Sequence, residues 1–386
     1  MTFQYQLIFL GDVENKACCA LGECFLKKFQ ELGFKDSMVK IIYPNEFSTK
    51  FSNKEPCFIY YLGSLQRKDD NTSAIQRLIK NGKSIFPLYF GPSFEDEVPK
   101  SLHLMNGQRY DASKIDSYVN CALESLQLLR RSRKLFISYR RTDSTLVANQ
   151  LFDGLVKANY DVFLDTYSIQ PAVAFQEELH HRLTDCDVLV QLYTNEFKSS
   201  KWCQEEILSA NQKQIGIVEL VWPDCQPDLH NLLCEVIRLS NEDFINNKYN
   251  EEKCCLTEAC INRIIGKIES VRARNLAARQ DSLVGEFIIE ARKSNHVLVR
   301  EYQYLLENLL DGVRLFIPAV GIPQSYDCFN SLRFKDLLQK KKIQIFLIYD
   351  DLRVKKKWIE HLDWLNLSLE VKTIKKKDFE LWLRNN

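Results

Sequence analysis

The chain has 386 residues, which is too long for one ordinary domain and predicts two or three. Apolar residues make up 45% of the chain and charged residues 27%, a balance typical of globular rather than disordered proteins. The formal net charge of +1 gives no indication of a nucleic-acid or anionic membrane partner. No apolar run approaches the roughly 20 residues of a membrane-spanning helix, and the first residues lack the pattern of a signal peptide. The sequence therefore predicts a soluble, cytoplasmic protein.

The thirteen cysteines are odd in number and scattered, and most lie in apolar runs, as Cys57, Cys186 and Cys234 do. The group at 254–260 lacks zinc-like C-x-x-C pairing and has no histidine nearby, so it predicts no metal site. We expect reduced thiols, as is usual in the cytosol.

Residues 1–130 alternate strands with helices, which predicts an α/β domain built on a parallel sheet. The strands are expected at 5–10, 39–43, 57–62 and 84–90, and the helices at 17–32 and 115–129. The ends of these strands carry glycine, proline and serine rather than paired acids. This domain is therefore predicted to be non-catalytic.

A basic run at 130–134 is interpreted as a linker, after which the alternation restarts in a second domain, 131–273. Its strands are expected at 135–139, 160–165, 188–193, 215–222 and 236–239, and its helices at 144–157, 175–183 and 256–271. Each strand is apolar enough to be buried on both faces. The fold class is thus α/β with a five-stranded parallel sheet.

The remaining residues, 274–386, are predicted to form a helical segment at 282–310 and then a small basic α/β domain with strands at 313–318, 343–349 and 369–373. Three lysine runs, at 340–342, 355–357 and 375–377, give two interpretations. They are solvated faces, or they form a binding surface for an anionic ligand or a protein partner. The second interpretation makes this a sensor or interaction domain.

The first two domains can be aligned without gaps by placing 58–61 over 188–191, which suggests an internal duplication. In that register Gln76 corresponds to Glu206, and Thr72 corresponds to Trp202. A duplicated domain that kept its sheet and lost this acid would be a spacer or an interaction domain.

Ligands of open parallel sheets bind beyond the carboxyl ends of the strands. In the middle domain Arg140 and Arg141 follow the first strand, Asp165 ends the second, and Tyr193 ends the third. Glu206 lies in a helix predicted to start at Trp202. Arginine binds phosphate oxygens with two parallel hydrogen bonds, so a ligand with phosphates and a sugar suits this set.

Several enzyme classes are excluded by the motifs that the domain lacks. It has no G-x-G-x-x-G or G-x-x-x-x-G-K loop, which argues against kinases, P-loop ATPases and Rossmann dehydrogenases, and no G-x-S-x-G elbow. His180 and His181 are adjacent on a predicted helix and point in different directions, which disfavours a metal site or a catalytic triad.

Four motifs in order, at 135–141, 162–165, 175 and 200–207, resemble the Toll/interleukin-1 receptor (TIR) domain. The start F-I-S-Y-R-R and the element W-C-Q-E-E-I resemble its NAD-cleaving branch, which has a five-stranded flavodoxin-like sheet. The resemblance implies that NAD⁺ is the substrate, with no further cofactor, and that Glu206 is the catalytic residue. It also implies a substrate pocket formed by Arg140, Arg141, Asp165, Tyr193 and Trp202.

The chemistry needs few groups. Cleavage of the bond between ribose and nicotinamide passes through an oxocarbenium-like state, as glycoside hydrolysis does. One carboxylate near the ribose stabilises the developing positive charge. Because nicotinamide leaves as a neutral molecule, no general acid is required.

The resemblance also implies that the domain assembles into a homo-oligomer through the loop after its second strand. The corresponding residues are Ile169, Pro171, Ala172 and Phe175. The family usually has glycine where Ala172 stands, and alanine adopts positive φ less readily. This difference makes the mode of assembly less predictable than the chemistry.

Two functions follow from the resemblance. The first is an NAD⁺ glycohydrolase that acts as an immune or antiviral defence effector, held inactive until its flanking domains detect a signal. The alternative is a non-catalytic adaptor that recruits partners by contacts between TIR domains. Glu206 together with Arg140 and Arg141 favours the enzyme.

Overall fold

The computed structural model describes residues 5–53, 55–66, 71–83, 85–126, 128–164, 181–198, 215–226, 234–251, 254–301, 303–338, 342–352 and 354–386. The chain divides into two compact units, Met1–Arg131 and Ser132–Asn386. Among the described helices, none combines the length and the apolar character that crossing a membrane requires.

The first unit contains a parallel sheet with the strand order β2-β1-β3-β4-β5. Its strands are β1 (Tyr5–Gly11), β2 (Val39–Ile42), β3 (Cys57–Leu62), β4 (Ile85–Tyr89) and β5 (Gln108–Arg109). Its helices are α1 (Lys16–Glu31), α2 (Phe47–Lys50), α3 (Thr72–Lys80), α4 (Phe94–Glu97) and α5 (Ile115–Ser125), with 3₁₀ turns at Asp36–Met38, Pro44–Glu46, Lys100–Leu102 and Ala112–Lys114. The apolar residues of β1 and β3 are buried, as expected for central strands of a parallel sheet.

The second unit begins with another parallel sheet, ordered β10-β9-β8-β6-β7. Its strands are β6 (Lys134–Ser138), β7 (Asp161–Leu164), β8 (Val188–Tyr193), β9 (Gly216–Val221) and β10 (Cys234–Arg238), and its described helices include α6 (Thr145–Lys157) and α7 (Asn195–Lys198). When the strands of each sheet are numbered from one to five in chain order, both sheets have the order 2-1-3-4-5. The prediction of a five-stranded, flavodoxin-like parallel sheet is confirmed.

One detail of that prediction is wrong. β10 was expected to be buried on both faces, but it is the edge strand, and within it only Ile237 is buried. An edge strand has a neighbour on one side alone, so its side chains remain partly accessible. After it come 3₁₀ turns at Asn241–Asp243 and Ile245–Asn247.

The longest described helix, α8 (Glu258–Lys293), has 36 residues, and its N-cap is Thr257, whose side chain accepts a hydrogen bond from Cys260 N. The sequence predicted that it would end near residue 271. The helix continues past residue 271 because polar side chains beyond that point make contacts within the fold. Arg272, for example, pairs with Asp187 at 2.7 Å, and both side chains are fully buried. The predicted boundary between residues 273 and 274 lies within α8, and the division into separate domains there stays a prediction.

The third sheet is mixed and has the order β11-β12-β13-β14-β15. β11 (Leu298–Arg300), β12 (Leu305–Asn308) and β13 (Val313–Ala319) are antiparallel, whereas β13, β14 (Ile343–Tyr349) and β15 (Val371–Lys375) are parallel. Its helices are α9 (Ser325–Ser331), α10 (Arg333–Leu338), α11 (Lys356–Ser368) and α12 (Phe379–Asn385), with a 3₁₀ turn at Lys376–Asp378. The expectation that 282–310 is mostly helical was wrong, since α8 ends at Lys293 and β11 and β12 form an antiparallel pair after it.

Candidate functional site

The carboxyl edge of the second sheet carries the two predicted arginines. β6 ends at Ser138, and the chain continues through the buried Tyr139 to Arg140, which is half-buried, and Arg141, which is exposed. Both backbones are fixed by the start of α6. Ser144 Oγ donates to the carbonyl of Arg140 at 2.9 Å, and Thr145 Oγ1 donates to the carbonyl of Arg141 at 2.8 Å.

A carboxylate that the sequence analysis missed joins two strand ends at this edge. Asp143 Oδ2 accepts a 2.6 Å hydrogen bond from Thr194 Oγ1, and Asp143 Oδ1 lies 2.9 Å from Ser144 Oγ, whose single proton it shares with the Arg140 carbonyl. Thr194 Oγ1 in turn accepts a 3.1 Å bond from Phe197 N, at the start of α7. Because β6 and β8 are neighbours, Asp143 ties the arginine loop to the end of the adjacent strand. The signal in the sequence was an acid just before α6, three residues after Arg140.

Tyr193 ends β8, as predicted, but its side chain is only 4% exposed. Its ring lies 5.8 Å from that of Phe197, and its carbonyl accepts a hydrogen bond from Trp222 N at 3.1 Å. The ring therefore belongs to the core between the sheet and its helices. A role for Tyr193 in binding a ligand stays a prediction.

The remaining predicted site residues lie outside the described residues. They are Asp165, Ile169, Pro171, Ala172, Phe175, Trp202 and Glu206. Of the two adjacent histidines, His181 is described, and its ring stacks at 5.8 Å on that of Trp358 in α11.

Comparison with protein families identifies this part of the chain. Residues 135–252 match the family model of the TIR domain. The central domain is a TIR domain. The resemblance predicted from the four sequence motifs is thereby confirmed for this domain.

A curated relative from Brachypodium distachyon, described as the probable 2′ cyclic ADP-D-ribose synthase BdTIR, is 25% identical to the chain over 127 residues. The match covers 33% of this chain and 55% of the relative, so the chain spans about half the length of that relative.

Two solved structures are also similar. The TIR domains of the activated Roq1 resistosome, which recognises the effector XopQ, match 38% of this chain and 81% of theirs, at 17% identity and a TM-score of 0.24. A putative phosphosugar isomerase from Clostridium difficile matches 72% of this chain and 85% of its own, at 10% identity and a TM-score of 0.21. Scores this low support no statement about function.

Within the TIR domain, a polar row crosses three strands that looked apolar in sequence. Ser138, Gln191 and Glu219 lie side by side on β6, β8 and β9, and their exposures are 4%, 0% and 0%. Burial, reinforced by the charge of Glu219, raises the pKa of the Cys234 thiol on β10 to about 12. Ser138 ends β6, and Gln191 and Glu219 lie two residues before the ends of β8 and β9, so the row makes the sheet polar close to its carboxyl edge.

Most of the described lysines in the C-terminal runs are paired with acids of the chain itself. Lys375 binds Asp363 at 2.7 Å, Lys342 binds Asp311 at 2.8 Å, and Lys377 lies 3.5 Å from Asp351. These contacts favour the interpretation of solvated, ion-paired faces for the described lysines. A broad anion-binding surface is correspondingly disfavoured.

Proposed function

We propose that the chain is an NAD⁺ glycohydrolase of the TIR type, acting in the cytoplasm as an immune or antiviral defence effector, with Glu206 as its catalytic residue. The observation that carries the proposal is the family match over 135–252, because the matched segment contains both the arginine pair and Glu206. The name of the curated relative supports it at the level of NAD-processing TIR domains.

The proposed chemistry assigns one task to each group. Arg140 and Arg141 bind the pyrophosphate of NAD⁺ at the carboxyl edge of the sheet through bidentate, charge-assisted hydrogen bonds. Glu206 lies by the ribose and stabilises the positive charge that develops as nicotinamide leaves. Asp165 and Trp202 complete the pocket. Asp143 holds the arginine loop to Thr194, which pre-organises the phosphate end.

The product and the assembly belong to the same proposal. Attack by water would give ADP-ribose, whereas attack by a ribose hydroxyl would give a cyclic product, as the name of the curated relative states for that protein. We propose that the domain works as a homo-oligomer whose contacts include Ile169, Pro171, Ala172 and Phe175. We propose no cofactor besides NAD⁺ as substrate.

The test follows nicotinamide release from NAD⁺ by chromatography, using the full chain at high concentration or with a crowding agent. Glu206→Gln is expected to lower the rate by about 100-fold or more, since a carboxylate that contacts the reacting ribose acts only when charged. Glu205→Gln is the matched control, because it removes a neighbouring acid of the same size, and it should retain the parent rate.

Two outcomes would refute the enzyme. One is that no nicotinamide appears under any condition in which the protein assembles. The other is that the Glu206→Gln variant releases as much as the parent. Either result would favour the adaptor that signals through contacts between TIR domains.

A further inference from the structure

A cleft lies beyond the carboxyl ends of the parallel strands in the third sheet. The strands β13, β14 and β15 are parallel, and the residues that follow their carboxyl ends converge on one side of the third sheet. The cleft has a volume of about 600 Å³ including its open mouth. Its lining comprises Ala319, Val320, Gly321, Asp350 and Lys376 after the strands, Arg279, Ser282, Leu283 and Glu286 on α8, and Thr184 of the TIR domain.

The position of the cleft suits a small ligand. In parallel sheets, ligands bind beyond the carboxyl ends of the strands, where the loops supply polar groups. This cleft lies at such an edge of the third sheet.

Hydrogen bonds between the TIR domain and the C-terminal region fix the walls. Arg279 on α8 donates to the carbonyls of Cys186, at 2.8 Å, and Thr184, at 3.3 Å. Next to the lining residue Gly321, Ile322 N donates to Asp185 Oδ1 at 3.0 Å in a buried contact. The turn before it is possible because Gly321 has a φ of 87°. The cleft is therefore built by both parts of the second unit.

Among the described residues that line the cleft, positive and negative charges are equal in number. Lys376 Nζ pairs with Glu286 Oε2 at 2.6 Å, and an ammonium has further N–H groups to offer a ligand. Asp350 Oδ1 accepts the N–H of Leu352 at 2.9 Å, and a carboxylate has several more lone pairs. Two cations with two acids disfavour a polyanion such as an oligonucleotide. The mixture also disfavours an apolar molecule.

A ligand with one anionic group and several hydroxyls matches these partners. Cationic side chains bind phosphate by charge-assisted hydrogen bonds, and carboxylates accept hydrogen bonds from sugar hydroxyls, as an acid does with the ribose of dinucleotides. The hydroxyl of Ser282 adds a polar group, and Leu283 and Ala319 supply an apolar wall. We propose that this cleft binds a sugar phosphate, with Lys376 at the phosphate and Asp350 at the hydroxyls.

The test measures binding of ribose 5-phosphate to the full chain by isothermal titration calorimetry, with ribose and inorganic phosphate as separate probes. Ribose 5-phosphate should bind at least about tenfold more tightly than either fragment. Lys376→Gln and Asp350→Asn should each weaken its binding by about tenfold or more, because each removes a charged partner. Lys356→Gln is the matched control, since that lysine side chain is 91% exposed on α11, and it should leave binding unchanged.

Three results would overturn the proposal. They are the absence of binding at about 10 mM probe, equal affinity for inorganic phosphate alone, and unchanged affinity in both the Lys376→Gln and Asp350→Asn variants. The last result would show that the ligand binds outside this cleft. Circular dichroism of each variant shows whether it has folded. The measurement needs no NAD⁺ cleavage, so its failure and that of the proposed enzyme are independent.

Discussion

Two sheets of this chain share one strand order but differ at their carboxyl edges. In the first sheet the carboxylate of Glu97, a residue only 4% exposed, accepts hydrogen bonds from Phe90 N, at 2.8 Å, and from Gly91 N. A Cβ atom placed on Gly63 or Gly91 would meet the Glu97 side chain. The side chain of Glu97 therefore occupies the carboxyl edge of the first sheet. In the TIR domain the corresponding edge carries arginines whose backbones are fixed.

The difference shows that strand order alone does not create a site. Both sheets could present ligand-binding loops, yet the first uses its edge for internal hydrogen bonds. Gln76, which aligns with Glu206, is exposed on α3. Glu97 therefore gives a physical reason for predicting that the first domain is non-catalytic, apart from the loss of one acid.

The largest expected effect concerns how the TIR sheet is held at its amino end. Arg272→Met should destabilise the second unit by about 3–5 kcal/mol, because it leaves the buried carboxylate of Asp187 without its guanidinium. Urea denaturation followed by circular dichroism measures the change. Arg274→Met is the matched control, since that side chain is 58% exposed and its nearest acid oxygen lies 3.6 Å away, and it should cost at most about 1 kcal/mol.

A double variant separates charge from packing. Arg272→Met combined with Asp187→Leu should recover at least about half of the lost stability, because apolar pairs replace buried ion pairs at little cost. If the double variant were less stable than Arg272→Met alone, the pairing argument would be wrong.

A middle-sized effect is expected at the edge of the first sheet. Glu97→Gln should lower the stability of the first unit by about 1–3 kcal/mol, because the amide can replace only one of the two accepting oxygens. Thermal unfolding reports the loss. Glu23→Gln, on an exposed position of α1, is the control and should be neutral. Equal melting temperatures for the two variants would contradict the view that Glu97 fills the edge.

The smallest expected effect concerns two aspartates in the turns that follow the first and second sheets. Asp111 lies after β5, and Asp243 lies after β10. Burial pushes the pKa of Asp243 upward, but hydrogen bonds from Ser240 N and Arg263 outweigh it and hold that pKa below its usual range. In the first unit, hydrogen bonding from Ser113 holds the pKa of Asp111 low. Asp243→Asn should therefore cost about 1 kcal/mol at neutral pH, and Asp111→Asn less.

The pH dependence has a defined sign. A carboxylate whose pKa is lower in the folded than in the unfolded state stabilises the fold at pH values above its unfolded pKa of about 3.9. That stabilisation is lost as the pH falls through the folded pKa. The deficit of Asp243→Asn should thus be constant at neutral pH and vanish in acid. Denaturant titrations across this range measure it, and a deficit that persisted or grew in acid would exclude an ionic origin.

Sequence patterns predicted most strands because their apolar runs are bounded by polar residues. The same patterns did not predict polar residues that are buried against distant partners in the chain. Arg272 and Arg279 resemble solvated helix residues in sequence, although each is bound to groups far along the chain. Asp143 was missed for the same reason, since its partner Thr194 lies fifty-one residues away. Long-range polar contacts leave no periodic signal, whereas the TIR motifs were recognisable because they are local.

The length of α8 bears on how this protein could have evolved. Its first half contributes Ile264 and Ile268 to the core of the TIR domain, and its second half contributes Val284 and Phe287 to the core beneath the third sheet. Recombination near residue 273 would divide a secondary-structure element that both cores require. The TIR domain and the C-terminal region should therefore be inherited as one module, with sequence drift in either constrained by the other.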